Sequence, residues 1–208
     1  MGRSENPLNG PLHRRKLAQY LRDFRASAQV TYEEMAALYS NASAATLKRT
    51  ASGETVPKWL RVLDFCVACF AATRVDPRPV PDVQKLRELW LKARMEGRHT
   101  LHLKKPRPEY IADQADLSRA LHALYEHAGA PPLREIQSRA GGAMHLPLST
   151  LARIVSREAL PADERQFLAF LAGFGVEGEE RQTKWRMAWN KVSKHKLTST
   201  EIIHALHE

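Results

Sequence analysis

Cysteine is scarce in this chain: two in 208 residues, Cys66 and Cys69, both inside an apolar run. Two cysteines cannot form the disulfide framework of a small secreted domain, so a reducing, cytoplasmic setting is expected. A structural zinc site needs four ligands, and no second pair stands at suitable spacing. A thioredoxin-like pair needs a strand before it, where the local pattern is helical. Both thiols are therefore expected in a core. His99/His102 and His204/His207 are spaced i, i+3 without a third ligand and read as surface histidines. Long apolar runs are missing too. The longest, Val62 to Ala72, is broken by Asp64 and is too short to span a membrane. The opening MGRSENPLNGPLHRRK lacks the apolar centre of a signal peptide. There is no Gly-rich phosphate loop and no Ser/His/Asp arrangement to single out. The expectation is a protein that is not an enzyme and needs no cofactor or metal.

What the chain does have is apolar content and positive charge. Hydrophobic residues make up 43%, enough to bury real cores. The formal net charge is +9 and the pI about 9.8, which points to an anionic partner. An acidic membrane surface is disfavoured, because the cations are not laid along one long amphipathic helix. Nucleic acid remains. The length fits one or two domains.

The stretch Val30 to Pro57 organises the rest. Thr31 can cap a short helix, with Glu33 and Glu34 in its first turn and Tyr32, Met35, Ala36 and Leu38 as its apolar positions. Tyr39-Ser40-Asn41-Ala42 supplies a turn. Ser43 can cap a second helix, Ala44 to Ser52, which Gly53 stops; Pro57 starts the next. In that second helix Leu47, Thr50 and Ala51 fall toward a core. Ala44, Ala45, Lys48 and Ser52 share the opposite face, small at its start and basic further on. Such a face can approach base edges, with Lys48 donating to guanine or phosphate and Ala packing on a thymine methyl. The plainer alternative is a solvated helix with two chance cations, Lys48 and Arg49.

The flanking sequence is helical in pattern. Residues 1–12 read as a loose tail. A helix from His13 to about Ala28 buries Leu17, Tyr20, Leu21 and Phe24. The helix from Pro57 is apolar nearly all round and reads as the central buried helix. Asp82 to about Glu96 closes a first bundle, residues 13–96. Residues 97–115 read as a basic linker, which at about nineteen residues reaches roughly 60 Å when extended.

The pattern then recurs over 116–196. Leu121, Leu124 and Ala128 repeat Leu21, Phe24 and Ala28. Leu133-Arg134-Glu135-Ile136 repeats Tyr32-Glu33-Glu34-Met35. Ser149-Thr150-Leu151-Ala152-Arg153 repeats Ala45-Thr46-Leu47-Lys48-Arg49, and Leu160-Pro161 repeats Val56-Pro57. The copy is less basic, and Arg153 and Arg157 flank its outer face. A short helix over 197–208, capped by Thr198 with Glu201, ends the chain. It can dock on the second bundle or pair with another chain.

These residues resemble the lambda-repressor-like (Cro/repressor, XRE-type) helix-turn-helix family, and most closely its actinobacterial branch. The resemblance rests on Thr31 to Ala36, Ser43 to Arg49, Gly53 and Pro57, and more loosely on Leu133 to Ile136 and Pro147 to Arg153. It implies an all-α protein of two tandem five-helix bundles acting as a sequence-specific regulator of transcription on double-stranded DNA, nucleoid-associated in the cytoplasm. The residues opening the second motif helix would touch bases: Ala44, Ala45 and Lys48, with Thr46 and Arg49 near phosphate. Thr31, Ser43 and Ser52 complete the expected contacts of the first repeat, and Ser149, Thr150, Arg153 and Arg157 those of the second. The second repeat departs from the pattern, with Pro147 at the capping position and Leu148 where a polar or basic residue is usual. The alternative is a protein-interaction module, an adaptor or a homo-oligomer, paired through the second bundle or the C-terminal helix.

Overall fold

A computed structural model describes residues 7–39 and 41–205, with side chains as far as residue 193. Among these there is no strand, and the fold is all-α. No helix among them is long and apolar enough to cross a membrane. Two compact units divide the chain, Met1–Leu101 and His102–Glu208.

The first unit holds α1 (Leu12–Ser27), α2 (Tyr32–Leu38), α3 (Ala44–Thr50), α4 (Trp59–Ala72) and α5 (Val83–Gly97). Its core joins Leu17, Leu21 and Phe24 of α1 to Met35 of α2, Leu47 of α3, Phe65 of α4 and Trp90 of α5. α1 lies on α5, and α2 packs on both α3 and α4. The start of α1 has no side-chain cap of its own, because Pro11 precedes it. The Glu96 carboxylate from α5 fills that role, accepting from the backbone N–H of His13 and Arg14 at 3.0–3.2 Å. Residues 7–10 are not a loose tail. A Cβ on Gly53 would meet Leu8 Cδ2 at 3.4 Å, so this segment runs close against the turn after α3.

α4 departs from expectation in two ways. It starts at Trp59, with Lys58 at the cap position, and the Pro57 carbonyl accepts from Trp90 Nε1–H at 2.8 Å. It is also not covered all round. Val62, Phe65, Ala68 and Cys69 are wholly buried, whereas Leu60 is 69% exposed, Val67 51% and Phe70 42%. The reason is that α1, α2 and α3 pack on one side of it. Leu38 is exposed as well. It sits about 60° beyond Met35 around α2, past the edge of the stripe that Tyr32, Met35 and Tyr39 define.

The second unit holds a short 3-10 turn (Pro108–Tyr110), α6 (Gln114–His127), α7 (Leu133–Arg139), α8 (Leu148–Val155), α9 (Glu164–Gly173) and α10 (Glu179–Ala205). Leu117, Leu121, Ile136, Leu151, Phe167, Phe170 and Trp185 centre its core. α7 packs on α8 and α9 and α6 on α10, as their counterparts do in the first unit, but α6 lies on α8 where α1 lies on α4. α4 and α9 bury matching positions, Val62, Phe65, Cys66 and Ala68 against Phe167, Phe170, Leu171 and Gly173.

Residues 97–115 do not form an extended tether. His99 and Thr100 close the end of α5 through backbone bonds to Glu96 and Met95. The Leu103 carbonyl accepts from His127, and Ile111 is buried in the second core. α6 opens at Gln114, capped by Asp113. The reach of an extended nineteen-residue chain, roughly 60 Å, therefore does not apply. At the other end no break occurs at Leu197, since α10 runs on through Thr198 and Glu201 to Ala205. No Gly or Pro stands there to stop it. The side chains of Ile202 and Ile203, and Leu206 itself, lie outside the described residues.

Candidate nucleic-acid interface

α3 is a seven-residue helix held at both ends. Ser43 Oγ accepts from the Thr46 backbone N–H at 3.3 Å and lies 3.0 Å from Thr46 Oγ1. At the far end Arg22 Nε from α1 donates to the Ala51 carbonyl at 2.9 Å. The turn before it is moored to α4. Tyr39 donates to Asp64 Oδ1 at 2.8 Å, and Arg61 donates both to Asp64 and to the Asn41 carbonyl. Asp64, in sequence only an interruption of an apolar run, thus anchors the turn that aims α3. Ser40, within that turn, lies outside the described residues.

Leu47, Thr50 and Ala51 are buried, as the sequence pattern requires. Ser43, Ala45, Lys48 and Arg49 are exposed, and Thr46 is half-buried. Two expected contacts fall differently. Ala44 is half-buried and packs on the core, because it shares a helix face with buried Leu47 and Ala51. Ser52 lies beyond the end of α3; its Oγ accepts from the Glu54 backbone N–H at 3.2 Å, so it closes the turn at Gly53 and does not extend the helix face. Gly53 there has φ +79°, a left-handed conformation natural to glycine. Lys48, Arg49 and Ala45 line an open cleft together with Ser52, and its other walls are Arg22, Tyr32, the segment at Pro7 and Asn9, and one acid, Glu54. Arg22 had no periodic or motif signal to mark it, and Tyr32 was marked only as an apolar position of the motif; tertiary packing brings both beside α3.

Thr31 works locally. Its hydroxyl accepts from the Glu34 backbone N–H at 3.2 Å, and Glu34 Oε2 accepts from the Thr31 backbone N–H at 2.8 Å. These bonds form a reciprocal cap on α2. The backbone N–H of Thr31 first, and then its hydroxyl, hold the Glu34 carboxyl below its ordinary value.

The second unit repeats the layout with weaker fixtures. α8 follows Pro147, which gives no side-chain cap, where Ser43 caps α3. Loss of such a cap is worth about 1 kcal/mol. The far end is held by the same device: His122 Nδ1–H from α6 donates to the Val155 carbonyl at 2.7 Å, as Arg22 does to Ala51. Ser149 and Arg153 are exposed on α8, and Thr150 is half-buried. Arg157 is not on the helix face. It lies past the end of α8 with φ +68°, in the position Gly53 takes after α3. No cation replaces Lys48, whose place is taken by half-buried Ala152.

Cys66 and Cys69 are free and buried, with burial pushing both thiols up to about 12. Cys69 Sγ lies 3.7 Å from Met35 Sδ, inside the core. No group of three or more potential metal ligands occurs among the described residues. No family model matches the chain, and no curated protein or solved structure matches it.

Proposed function

We propose that this protein is a double-stranded DNA-binding transcriptional regulator of the lambda-repressor-like type, built as two tandem helix-turn-helix bundles. α3 reads the major groove. The observation that carries this reading is the open flank of α3: Ala45, Lys48 and Arg49 side by side in solvent, on a short helix fixed by Ser43 at its start and Arg22 at its end. Small residues permit close approach to base edges, and the two cations supply donors to guanine or phosphate. Thr31 and Ser43 serve as the caps that fix the starts of α2 and α3. In the second unit Ser149 and Arg153 offer a poorer face, suited to backbone contact more than to base reading.

An interaction module is the second reading, and the exposed Leu60, Val67 and Phe70 on α4 favour it. One experiment separates them. In vitro selection of bound duplexes from a random pool should enrich a single conserved block if the first unit alone reads bases. Two blocks would assign base reading to both units. No enrichment over the input pool would exclude sequence-specific binding and leave the interaction module.

A further inference from the structure

Between Leu103 and Ile111 the chain forms a strap pinned at both ends. His127 Nε2–H donates to the Leu103 carbonyl at 3.0 Å, and Lys191 Nζ donates to the Ile111 carbonyl at 3.3 Å. Asp116 Oδ2 accepts from the Ala112 backbone N–H at 3.0 Å and secures the same end. Under the strap, along α6, lies a cleft of about 690 Å³, widely open to solvent.

Its lining has two characters. Half-buried Leu103, Pro106 and Ala120 and the Tyr110 ring, 72% exposed, give it apolar surface over a base of buried Ile111 and Ala123. Lys104, Lys105 and Arg107 stand around it, all exposed. Among the described residues one carboxylate lines the cleft, that of Asp116, and it is already engaged by Arg119 and the Ala112 N–H. No free carboxylate is left in the cleft's own lining for the strap cations; Arg107 lies over the Tyr110 ring at 6.0 Å, and Glu109 lines the neighbouring cleft with Lys105 and Arg107.

We propose that this cleft docks an acidic segment of a partner protein, with carboxylates on the strap cations and apolar side chains on the α6 floor. A small ligand would stay mostly in water in so open a site, whereas sites for small molecules enclose most of their ligand. A duplex backbone would answer the charge but has nothing to place on Leu103, Pro106, Ala120 and Tyr110. An acidic peptide with interleaved apolar residues satisfies both halves. The inference concerns the second unit alone and stands whether or not α3 reads DNA.

The test uses the full chain and fluorescence anisotropy at low and high salt. The probes are a labelled peptide alternating Glu and Leu, one alternating Glu and Ser, one alternating Lys and Leu, and a random-sequence duplex. The Glu–Leu peptide should bind best and weaken with salt. The double variant Lys104→Glu/Arg107→Glu, and separately Tyr110→Ser, should each lower its affinity about tenfold, while Lys48→Ala leaves it unchanged. These side chains are exposed, so the fold is not at risk, and methyl shifts at Ala120 and Ala123 on peptide addition give an independent readout. The proposal is overturned if the Glu–Leu peptide binds no better than the Glu–Ser or Lys–Leu peptide. It is equally overturned if the charge reversals weaken duplex binding and leave peptide binding intact, for the strap would then be a DNA contact.

Discussion

Arg157 occupies the left-handed position that Gly53 fills in the first unit, and it does so at a cost. A side chain in that conformation is strained by about 1–2 kcal/mol, offset in part because glycine loses about 0.5–1 kcal/mol more chain entropy on folding. Arg157→Gly should therefore stabilise the second unit by roughly 0.5–1 kcal/mol in urea melts. If the guanidinium also touches phosphate, the same variant weakens duplex binding while the protein becomes more stable, so stability and affinity move in opposite directions. Cys66 and Cys69 give a pH signature. Burial raises both thiols to about 12 from an ordinary 9.0. The unfolded chain releases these protons near pH 9, while the folded chain keeps them until about 12. Stability from keeping the thiols neutral is full below pH 9 and declines above it, by up to about 1.4 kcal/mol per thiol per pH unit. Urea melts from about pH 8 to about pH 11 should fall less steeply for Cys66→Ala/Cys69→Ala than for the unaltered chain.

α7 and α9 pack closely at Gly173. A Cβ there would meet Ile136 Cγ2 at 2.7 Å and the Ile136 carbonyl at 3.0 Å. Gly173→Ala should cost the second unit about 1–3 kcal/mol by overpacking, read as a lower urea midpoint. At this scale the sequence was most readable where spacing and capping agree. The Thr31 and Ser43 caps, the burial of Leu47, Thr50 and Ala51, and the all-helical class follow from local chemistry. What periodicity could not convey is which side of an apolar helix finds a neighbour. Leu60, Val67 and Phe70 are as apolar as Val62 and Phe65, yet only the latter meet α1, α2 and α3. Nor could composition reveal that Leu103 to Ile111 is a strap, because its anchors are backbone carbonyls met by distant His127 and Lys191. In the candidate interface Lys48, Arg49 and Ala45 were legible from α3 alone. Arg22, His122 and Asp64, which fix the ends of the helices and the turn, depend on tertiary partners and left no local trace.

Taken as a whole the molecule is basic, with a net charge of +9. That charge supplies attraction to any polyanion, and in the proposed reading specificity comes from the few residues of α3 that would reach base edges. The division of labour proposed here gives α3 the reading role, the α8 face a supporting one, and the strap cleft a protein partner. The proposed reading of α3 depends above all on Lys48 meeting DNA. The salt dependence of binding to a selected duplex, measured for the unaltered chain and for Lys48→Ala, tests this. Binding should weaken steeply with salt, and Lys48→Ala should lose about 1–3 kcal/mol with a salt slope reduced by about 1 if the contact is to phosphate, or relax the preference at one base position if it is to guanine. Duplex binding that is absent at low salt, or that is identical in affinity, slope and sequence preference for the two proteins, would contradict it.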